Sequence, residues 1–201
     1  MRIYGLLLAA GQSTRMGRLK ALLPWDGGTL VEFQVRQLLA GGVERVLLVL
    51  GHQAESIRGI AASLPQTDIV LNPDYATGKT SSVRAGMHAV PADADAVMVL
   101  SVDQPIPAAV IRQAIEVHAS GDALITVPSF GGRHGHPAVF AKALFSEMLD
   151  IAEETQGLRA VRRRYLDATH VFEANTTASL LDINTPADYE AALALFAKME
   201  S

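Results

Sequence analysis

The sequence predicts an α/β protein built around a mostly parallel sheet, and two observations lead to this fold class. Short apolar runs, typical of strands buried on both faces, alternate along the chain with stretches of helical periodicity. Strands and helices in alternation imply right-handed crossovers and parallel strands. In addition, 49% of the 201 residues are hydrophobic and only 19% are charged, so the chain can bury a large core.

The individual elements follow from this alternation in chain order. The apolar run 3–8 is the first strand, and the pair Gly41-Gly42 ends the first long helix. Near the end of the chain, Thr185 is the N-cap of a helix whose first residue is Pro186. We therefore predict strands at 3–8, 44–50, 68–71, 96–102, 123–127, 136–140, 171–173 and 179–181, and helices at 30–40, 54–63, 81–89, 108–120, 142–152, 154–164 and from 186 onward.

Composition argues against several classes of protein. A net charge of −4 disfavours a general nucleic-acid binder, which is usually basic. The absence of cysteine excludes disulfides, thiolate metal sites and a catalytic thiol. The N-terminal apolar run does not resemble a signal peptide, and no run is long enough to span a membrane. We expect a single domain over 1–201 that acts in the cytoplasm, without nucleic-acid or membrane partners.

The strand at 3–8 leads into a loop that carries glycines, hydroxyls and cations but no acidic residue. Glycines allow a ligand to approach the backbone closely, exposed N–H groups can point inward, and cations neutralise negative charge. This composition suits a polyphosphate better than it suits an exposed basic turn. The residues concerned are Gly11, Ser13, Thr14, Arg15, Gly17, Arg18 and Lys20.

The loop departs from two well-known phosphate-binding loops. Ser13 stands where the dinucleotide fingerprint G-x-G-x-x-G needs its second glycine. The P-loop pattern G-x-x-x-x-G-K-[ST] also fails, because Gly17 comes one residue late and is followed by Arg18. A nicotinamide oxidoreductase is therefore disfavoured, and the loop belongs to a third kind.

The pattern L-A-A-G-x-S-x-R-M-G-x-x-K at residues 8–20 resembles the signature of the MobA-like nucleotidyltransferases. Its Ala-Ala-Gly form is similar to the branch of molybdenum cofactor cytidylyltransferases. The stretches G-x-x-S-S, D-Q-P, G-H-P and D-x-x-T-P-x-D-Y follow in family order, so the resemblance runs nearly end to end. It implies a three-layer α/β/α, Rossmann-like nucleotidyltransferase fold, with a nucleotide-binding part at 1–128 and an acceptor-side part at 129–201.

The resemblance places the nucleotide against the first loop and against the start of the helix near residue 81. From the residues alone, this helix start can hold an anion or a base edge, or Ser81 can simply cap the helix. Arg15 and Lys20 would be catalytic, stabilising the developing charge and the leaving pyrophosphate. CTP is the implied donor, because the GTP-using branch carries glycine in place of Ala10. The implied nucleotide contacts are Leu8, Ala9, Ala10, Gly11, Ser13, Arg15, Lys20, Gly78, Ser81 and Ser82.

Two aspartates are candidates for binding Mg²⁺. Asp103 ends a buried strand, where a carboxylate is a natural Mg²⁺ ligand beside phosphates, although aspartate before Gln-Pro also occurs in ordinary turns. The resemblance implies that Asp103 binds the catalytic metal and that Asp182 is the second ligand. Asp182 can alternatively cap the turn before the last helix. Asn184 stands where many relatives carry aspartate.

The stretch G-R-H-G-H-P at 132–137 resembles the G-R-x-G-H-P motif that faces the acceptor in the cytidylyltransferase branch, with His134 in place of the usual arginine. A second acceptor-side motif, G-D-x-G-x-R, appears as E-T-Q-G-L-R at 154–159, without its Gly-Asp pair. The two histidines can also be read as a metal pair, and the arginines at 162–164 as an anion site or as a solvated helix face. The implied acceptor contacts are His134, Gly135, His136, Pro137 and Arg159.

The resemblance implies Mg²⁺-dependent transfer of CMP from CTP to molybdenum-bearing molybdopterin, giving molybdopterin cytosine dinucleotide and pyrophosphate. A molybdoenzyme of the xanthine dehydrogenase type is a candidate recipient. A sugar- or polyol-phosphate nucleotidyltransferase is the alternative with the same chemistry. A non-catalytic carrier of molybdenum cofactor is the alternative from another class, and it is disfavoured because a carrier need not keep Arg15, Lys20, Asp103 and Asp182.

Overall fold

The computed structural model describes residues 1–199 as a central sheet with helices on both faces. The strands are β1 (Ile3–Ala9), β2 (Pro24–Trp25), β3 (Gly28–Thr29), β4 (Arg45–Leu50), β5 (Thr67–Leu71), β6 (Ala96–Ser101), β7 (Ile125–Phe130), β8 (Arg133–His134), β9 (Ala138–Ala141) and β10 (Thr169–Glu173). The α-helices are α1 (Leu30–Ala40), α2 (Ala54–Ala61), α3 (Lys79–His88), α4 (Ala108–Ala119), α5 (Phe145–Leu149), α6 (Leu158–Arg164) and α7 (Pro186–Met199). In this described part of the chain, no helix is long and apolar enough to cross a membrane.

One sheet runs through the molecule in the strand order β10-β7-β9-β6-β1-β4-β5, with β8 paired to β7 at its side. β1 lies between β4 and β6 and is parallel to both, with Leu8 opposite Val49 and Ser101. β9 is antiparallel to its neighbours β6 and β7, whereas β10 is again parallel to β7. The predicted α/β class and the mostly parallel sheet are confirmed.

Both faces of β1 are buried, which explains why its sequence is a continuous apolar run. Ile3 and Leu7 pack in the core cluster that also contains the apolar faces of α1, α4 and α7. Leu6 and Leu8 pack in a second cluster with residues of α3, α5 and α6. Successive side chains of a strand point to opposite faces, so a strand between two helical layers needs apolar residues at every position. The three-layer arrangement is confirmed.

Side-chain caps fix the starts of α1 and α7. Thr29 and Glu32 form a capping box, in which the Thr29 N–H donates to Glu32 Oε2 at 2.7 Å and the Glu32 N–H donates to Thr29 Oγ1 at 3.4 Å. Before α7, Asp188 Oδ2 accepts from the Thr185 N–H at 2.8 Å, and the Asp188 N–H donates to Thr185 Oγ1 at 3.3 Å. The predicted cap at Thr185 is confirmed, and the turn that precedes α7 is held in place.

The elements after residue 130 depart most from their predicted bounds. The strand predicted at 179–181 is wrong: this segment lies in a 3-10 turn that begins after Thr176, whose Oγ1 accepts from the Ala178 N–H. The helix predicted at 142–152 is a 3-10 turn followed by the short α5, and the strand predicted from 136 begins at Ala138. The helix predicted at 154–164 begins only at Leu158, because Gln156 and Gly157 have positive φ angles of 69° and 52°.

Candidate active site

A cavity of about 360 Å³ lies at the carboxyl ends of β1 and β6. Because parallel strands end at the same edge of a sheet, this is where a ligand is expected in such a fold. β6 contributes Ser101, and Val102 and Asp103 follow it directly. Eight of the predicted nucleotide contacts line the cavity, namely Leu8, Ala9, Ala10, Gly11, Ser13, Lys20, Gly78 and Ser82, whereas Arg15 and Ser81 do not.

Backbone hydrogen bonds shape the first loop. Ser13 has a left-handed φ of 53°, and its carbonyl accepts from the N–H groups of Met16 and Gly17 at 3.0 and 3.2 Å. Gly17 has a φ of 73°, which glycine adopts without strain. Met16 is buried in the core, and Ser13 Oγ accepts from the Lys20 N–H at 3.2 Å. Ser13 and the buried Met16 thus fix the course of the loop from residue 13 to Lys20.

Lys20 lies at the centre of the site. Its Nζ is 2.7 Å from Asp103 Oδ2 and 3.1 Å from Asn184 Oδ1. The side chains of Lys20 and Asp103 are only 12% and 21% exposed, so water screens this ion pair less than it screens a surface pair. Arg15 Nη2 donates to the same Asn184 oxygen at 2.8 Å. One amide oxygen therefore holds two loop cations beside the Asp103 carboxylate.

The turn before α7 reaches this centre through its backbone. The Ile183 N–H donates to the Asp103 carbonyl at 2.8 Å, and Asn184 Nδ2 donates to the Asp182 carbonyl at 3.3 Å. Asp182 is exposed, and the side chain from this turn that accepts from Lys20 Nζ is that of Asn184. From the sequence, Asn184 is visible only as a departure from the family pattern. Its position just before the capped start of α7 was the available signal.

The oxygens around Lys20 fit a divalent cation. Asp103 Oδ2 and Asn184 Oδ1 accept from the same ammonium group, so two oxygen donors already converge on one positive charge. Mg²⁺ typically takes one or two protein oxygens and completes its shell with phosphate oxygens and water. Within residues 1–199, no cluster of three or more His, Asp or Glu side chains is suited to a metal, so the histidine pair of the G-H-P stretch finds no third ligand there.

The start of α3 already contacts an acidic side chain. Glu153 Oε2 accepts from the Thr80 N–H at 2.9 Å. Hydrogen bonding by Thr80, first by its side chain and then by its backbone, lowers the pKa of Glu153. Gly157 packs so closely on Thr80 that an added Cβ would lie 2.6 Å from Thr80 Oγ1. The Thr80 N–H of the predicted anion or base-edge site at this helix start is therefore already bonded to Glu153.

Asn72 orders the two serine hydroxyls at the start of α3. It is buried, and its Nδ2 donates to Ser81 Oγ at 2.9 Å and to Ser82 Oγ at 3.0 Å. Ser81 Oγ donates in turn to the Gly78 carbonyl at 2.8 Å, so Ser81 closes the turn while Ser82 lines the cavity. Asn72 was not predicted as a site residue. The signal that could have indicated it is its place at the start of the N-P-D turn after β5.

Gln104 connects the nucleotide side to the G-H-P stretch. Its Nε2 lies 2.8 Å from His136 Nε2, and its Oε1 accepts from the Ser101 N–H at 3.1 Å. Gln104 is buried, and its carbonyl accepts from the buried Gln34 Nε2 at 2.5 Å. Neither glutamine was predicted as a site residue, because nothing local in the sequence links residue 104 to residue 136.

Burial and three charged side chains act on His136. Burial is the largest cause that lowers the pKa of His136, to about 4, and the positive charges of Lys79 and Arg162 act in the same direction. Asp103 acts in the opposite direction. Since His136 contacts Gln104, which directly follows Asp103, the G-H-P stretch lies beside the predicted metal site. His136 is neutral at physiological pH.

Gly135 is locked between two segments of backbone. Its N–H donates to the Pro128 carbonyl at 2.8 Å, and an added Cβ would lie 2.2 Å from the Ser179 carbonyl oxygen. The next residue continues this contact, since the His136 N–H donates to the Ser179 carbonyl at 2.8 Å. Of the other predicted acceptor contacts, Pro137 is buried, whereas His134 and Arg159 are exposed.

The three consecutive arginines of α6 have separate surroundings. Arg162 is partly buried, and burial followed by the charge of Arg159 lowers its pKa. Arg164 pairs with Glu147, and Arg163 is exposed. Of the three, Arg162 is the one that acts on His136. The run is therefore neither a uniformly solvated face nor a single anion site.

Comparison with known families agrees with this arrangement. The model of the MobA-like NTP transferase domain matches residues 5–169, which include most of β1, the first loop, Asp103 and His136. The chain belongs to the MobA-like NTP transferase family. The predicted resemblance is confirmed, and so is the enzyme class, a nucleotidyltransferase.

Relatives of this MobA-like NTP transferase cover nearly its whole length. The molybdenum cofactor cytidylyltransferase of Escherichia coli (strain K12) is 29% identical over 186 residues, which are 92% of each chain. The nicotine blue oxidoreductase of Paenarthrobacter nicotinovorans is 30% identical over 91% of this chain and 92% of its own. The solved structure of Rv0371c from Mycobacterium tuberculosis H37Rv in complex with manganese is 26% identical, with a TM-score of 0.79 over 96% of this chain and 99% of that one.

Proposed function

We propose that this MobA-like NTP transferase transfers CMP from CTP to molybdopterin bearing molybdenum, releasing pyrophosphate and giving molybdopterin cytosine dinucleotide. The observation that carries the proposal is the contact of Lys20 Nζ with oxygens of Asp103 and Asn184 at the wall of the cavity. Nucleotidyl transfer depends on positioning and charge neutralisation more than on covalent chemistry. A cation and a carboxylate held together beside a glycine-containing loop suit that requirement.

The reaction exchanges one phosphorus–oxygen bond for another. An oxygen of the acceptor phosphate forms a bond to the α-phosphorus of CTP. The bond between the α-phosphorus and the oxygen that bridges to the β-phosphate breaks, and pyrophosphate leaves with the electron pair. Negative charge is spread over the α-phosphate oxygens and the leaving group, so positive groups at these places lower the barrier.

Lys20 and Arg15 would supply the positive charge from the protein. Their shared contact with Asn184 Oδ1 keeps the two cations together before any ligand binds. Asp103, with Asp182 as the second ligand, would hold Mg²⁺, which supplies further charge neutralisation at the phosphates when bound. Asn184 Oδ1 is an additional oxygen donor at the same place.

The base pocket and the phosphate cradle would be formed by Ala9, Ala10 and Gly11. Ala10 is buried, and its methyl group packs closely against Gly51. A Cβ added at Gly51 would lie 2.9 Å from the Ala10 Cβ. This methyl group narrows the pocket and favours the smaller pyrimidine base. The relative from Escherichia coli, named a cytidylyltransferase, supports the same donor. Contacts to the rest of the nucleotide would come from Leu8, Ser13, Gly78, Ser81 and Ser82.

The acceptor would bind on the side of the G-H-P stretch. Lys79 and Arg162 act with positive charge on the neutral His136, and the exposed Arg159 acts in turn on Arg162, so this side suits an anionic, molybdopterin-type phosphate. The remaining acceptor contacts would be His134, Gly135 and Pro137. We place the reaction in the cytoplasm and regard a molybdoenzyme of the xanthine dehydrogenase type as a candidate recipient of the product.

Two alternatives differ in what would be bound or released. A sugar or polyol phosphate would meet the same positive charges, and the missing Gly-Asp pair at 154–155 keeps this acceptor open. A non-catalytic carrier of molybdenum cofactor would need no contact of the Lys20–Asp103 kind.

One relative is named an oxidoreductase, but the first loop of this chain lacks the dinucleotide fingerprint at Ser13.

The test is Mg²⁺-dependent release of pyrophosphate with CTP, GTP, UTP or ATP, each offered with molybdenum-loaded molybdopterin. We expect release with CTP above the other three, and loss of release in Lys20→Met. Lys142→Met is the matched control, because Lys142 Nζ donates to the Ala92 carbonyl at the opposite end of β6. Release only with sugar or polyol phosphates would replace the acceptor, and no release with any acceptor would favour the carrier.

A further inference from the structure

The contact between Gln104 and His136 determines which ring nitrogen of the histidine carries the proton. Gln104 Nε2 lies 2.8 Å from His136 Nε2. An amide nitrogen donates hydrogen bonds and does not accept them, so His136 Nε2 must be an unprotonated acceptor. A neutral imidazole whose Nε2 is unprotonated carries its proton on Nδ1.

The orientation of the Gln104 amide is itself determined. Its Oε1 accepts from the Ser101 N–H at 3.1 Å. In a flipped amide, the Gln104 NH2 group would face the Ser101 N–H, and two donors would then meet without an acceptor. The Gln104 backbone is held on both sides, because its carbonyl accepts from Gln34 Nε2 at 2.5 Å and its N–H donates to the Ser101 carbonyl at 3.0 Å. Gln34 is fully buried and Gln104 is 5% exposed, so water does not compete for these groups.

The other ring nitrogen of His136 is left for a ligand. Among the hydrogen bonds within residues 1–199, none involves His136 Nδ1. The main chain of His136 is fixed by the donation of its N–H to the Ser179 carbonyl at 2.8 Å. The charged groups that act on the ring are Lys79, Arg162 and Asp103, two cations and the predicted metal ligand. A donor in these surroundings suits the oxygen of a phosphate.

We propose that Gln104 is a positioning residue that holds His136 as its Nδ1–H tautomer, so that Nδ1–H donates a hydrogen bond to the phosphate of the acceptor. The identity of this ligand rests on the proposed function, whereas the tautomer does not. No proton is transferred in this role. The neutral donor orients the attacking phosphate oxygen without competing with it for a proton.

Nitrogen chemical shifts of His136 read the tautomer directly, in protein labelled with ¹⁵N at histidine and free of substrate. The signals are assigned by comparison with His136→Asn. In the wild type, we expect the unprotonated nitrogen to be Nε2. In Gln104→Met, which keeps the length of the side chain and removes the donor, the population is expected to shift towards the Nε2–H form. A proton on Nε2 of the wild type would overturn the proposal.

Kinetics separate positioning from a general structural effect. Gln104→Met is expected to raise KM for the acceptor by roughly fivefold, the value of one neutral hydrogen bond, and to leave KM for CTP unchanged. Gln104→Glu presents an acceptor to His136 Nε2, which must then carry a proton, so the neutral Nδ1–H form is lost and the variant should also be impaired. Gln113→Glu is the matched control, because it makes the same charge change on α4, where Gln113 donates to the Glu173 carbonyl.

The two readouts also distinguish this inference from the proposed function. If the wild type carries the Nδ1–H tautomer and Gln104→Met loses it, but no nucleotidyl transfer to any acceptor occurs, the role of Gln104 in setting the tautomer stands and the proposed reaction is refuted. Transfer by a wild type that carries the proton on Nε2 would refute the role of Gln104 alone. Equal increases in KM for CTP and for the acceptor, with unchanged nitrogen shifts, would show a structural role and contradict positioning.

Discussion

The proposed nucleotide side, at the cavity, and the proposed acceptor side, around the G-H-P stretch, are built from different kinds of structure. The nucleotide side consists of the carboxyl ends of the neighbouring parallel strands β1 and β6 and the loop that ends at Lys20. The acceptor side consists of a short hairpin, a 3-10 turn and backbone contacts that hold Gly135 and His136 against Ser179. Parallel strand ends and the loop that follows β1 thus hold Arg15, Lys20 and Asp103, whereas a hairpin and a 3-10 turn hold the groups that we assign to the acceptor.

Removing one charge on the nucleotide side should have the largest effect. Asp103→Asn keeps the size of the side chain and an oxygen for Lys20 Nζ, but it removes the carboxylate charge. We expect turnover to fall by roughly 1000-fold, as for loss of a central electrostatic group, while the variant still folds and unfolds cooperatively. Pyrophosphate release and thermal unfolding measure the two effects. Asp182→Asn tests the second predicted ligand in the same way, and a fully active Asp103→Asn would contradict the metal assignment.

A backbone clash should break the acceptor side alone. In Gly135→Ala, the new Cβ would meet the Ser179 carbonyl oxygen at 2.2 Å, and overpacking of this kind costs about 1–3 kcal/mol of unfolding free energy. We expect a lower melting temperature and a higher KM for the acceptor, with CTP affinity retained in titration calorimetry. Gly59→Ala, with no atom near its Cβ, is the control for glycine substitution. A matching loss of CTP affinity would show that the two sides are not separate.

The pH dependence of stability tests the burial of His136. Its pKa is lowered from 6.5 to about 4, so between these values the unfolded chain binds a proton that the folded chain does not. The contribution of His136 is complete above pH 6.5 and is lost as the pH falls towards 4, by at most about 3 kcal/mol. Burial lowers the pKa of His118 as well, so the comparison is with His136→Asn. Denaturant unfolding at a series of pH values gives the unfolding free energy at each pH. Between pH 6.5 and 4, this free energy should fall less steeply in His136→Asn than in the wild type. Equal dependence on pH in the two proteins would contradict the burial of His136.

The smallest expected effect concerns the choice of nucleotide. Ala10→Gly removes one methyl group from the wall of the base pocket and should shift the preference from CTP towards GTP by about tenfold. The ratio of kcat/KM for the two nucleotides measures this shift. An unchanged ratio in Ala10→Gly would remove the reason for naming CTP.

The same division explains what could be predicted from the sequence. The strands around the nucleotide side and the cations of the first loop were predictable because apolar runs and loop composition are local signals. The contact between Lys20 and Asn184 joins residues 164 positions apart, and no local pattern marks it. On the acceptor side, the segment at 179–181 was predicted as a strand, but the Thr176 side chain starts a 3-10 turn and the Ser179 carbonyl bonds to the His136 N–H instead of a neighbouring strand.

The most direct test of the central claim follows the phosphorus atoms of CTP. With Mg²⁺ and molybdenum-loaded molybdopterin, label on the α-phosphate should appear in the molybdopterin product, and label on the γ-phosphate should appear in pyrophosphate. Asp103→Asn should leave both labels in CTP. Transfer of the γ-label to the acceptor, or retention of both labels in CTP by the folded wild type, would contradict nucleotidyl transfer to molybdopterin at the Lys20–Asp103 site.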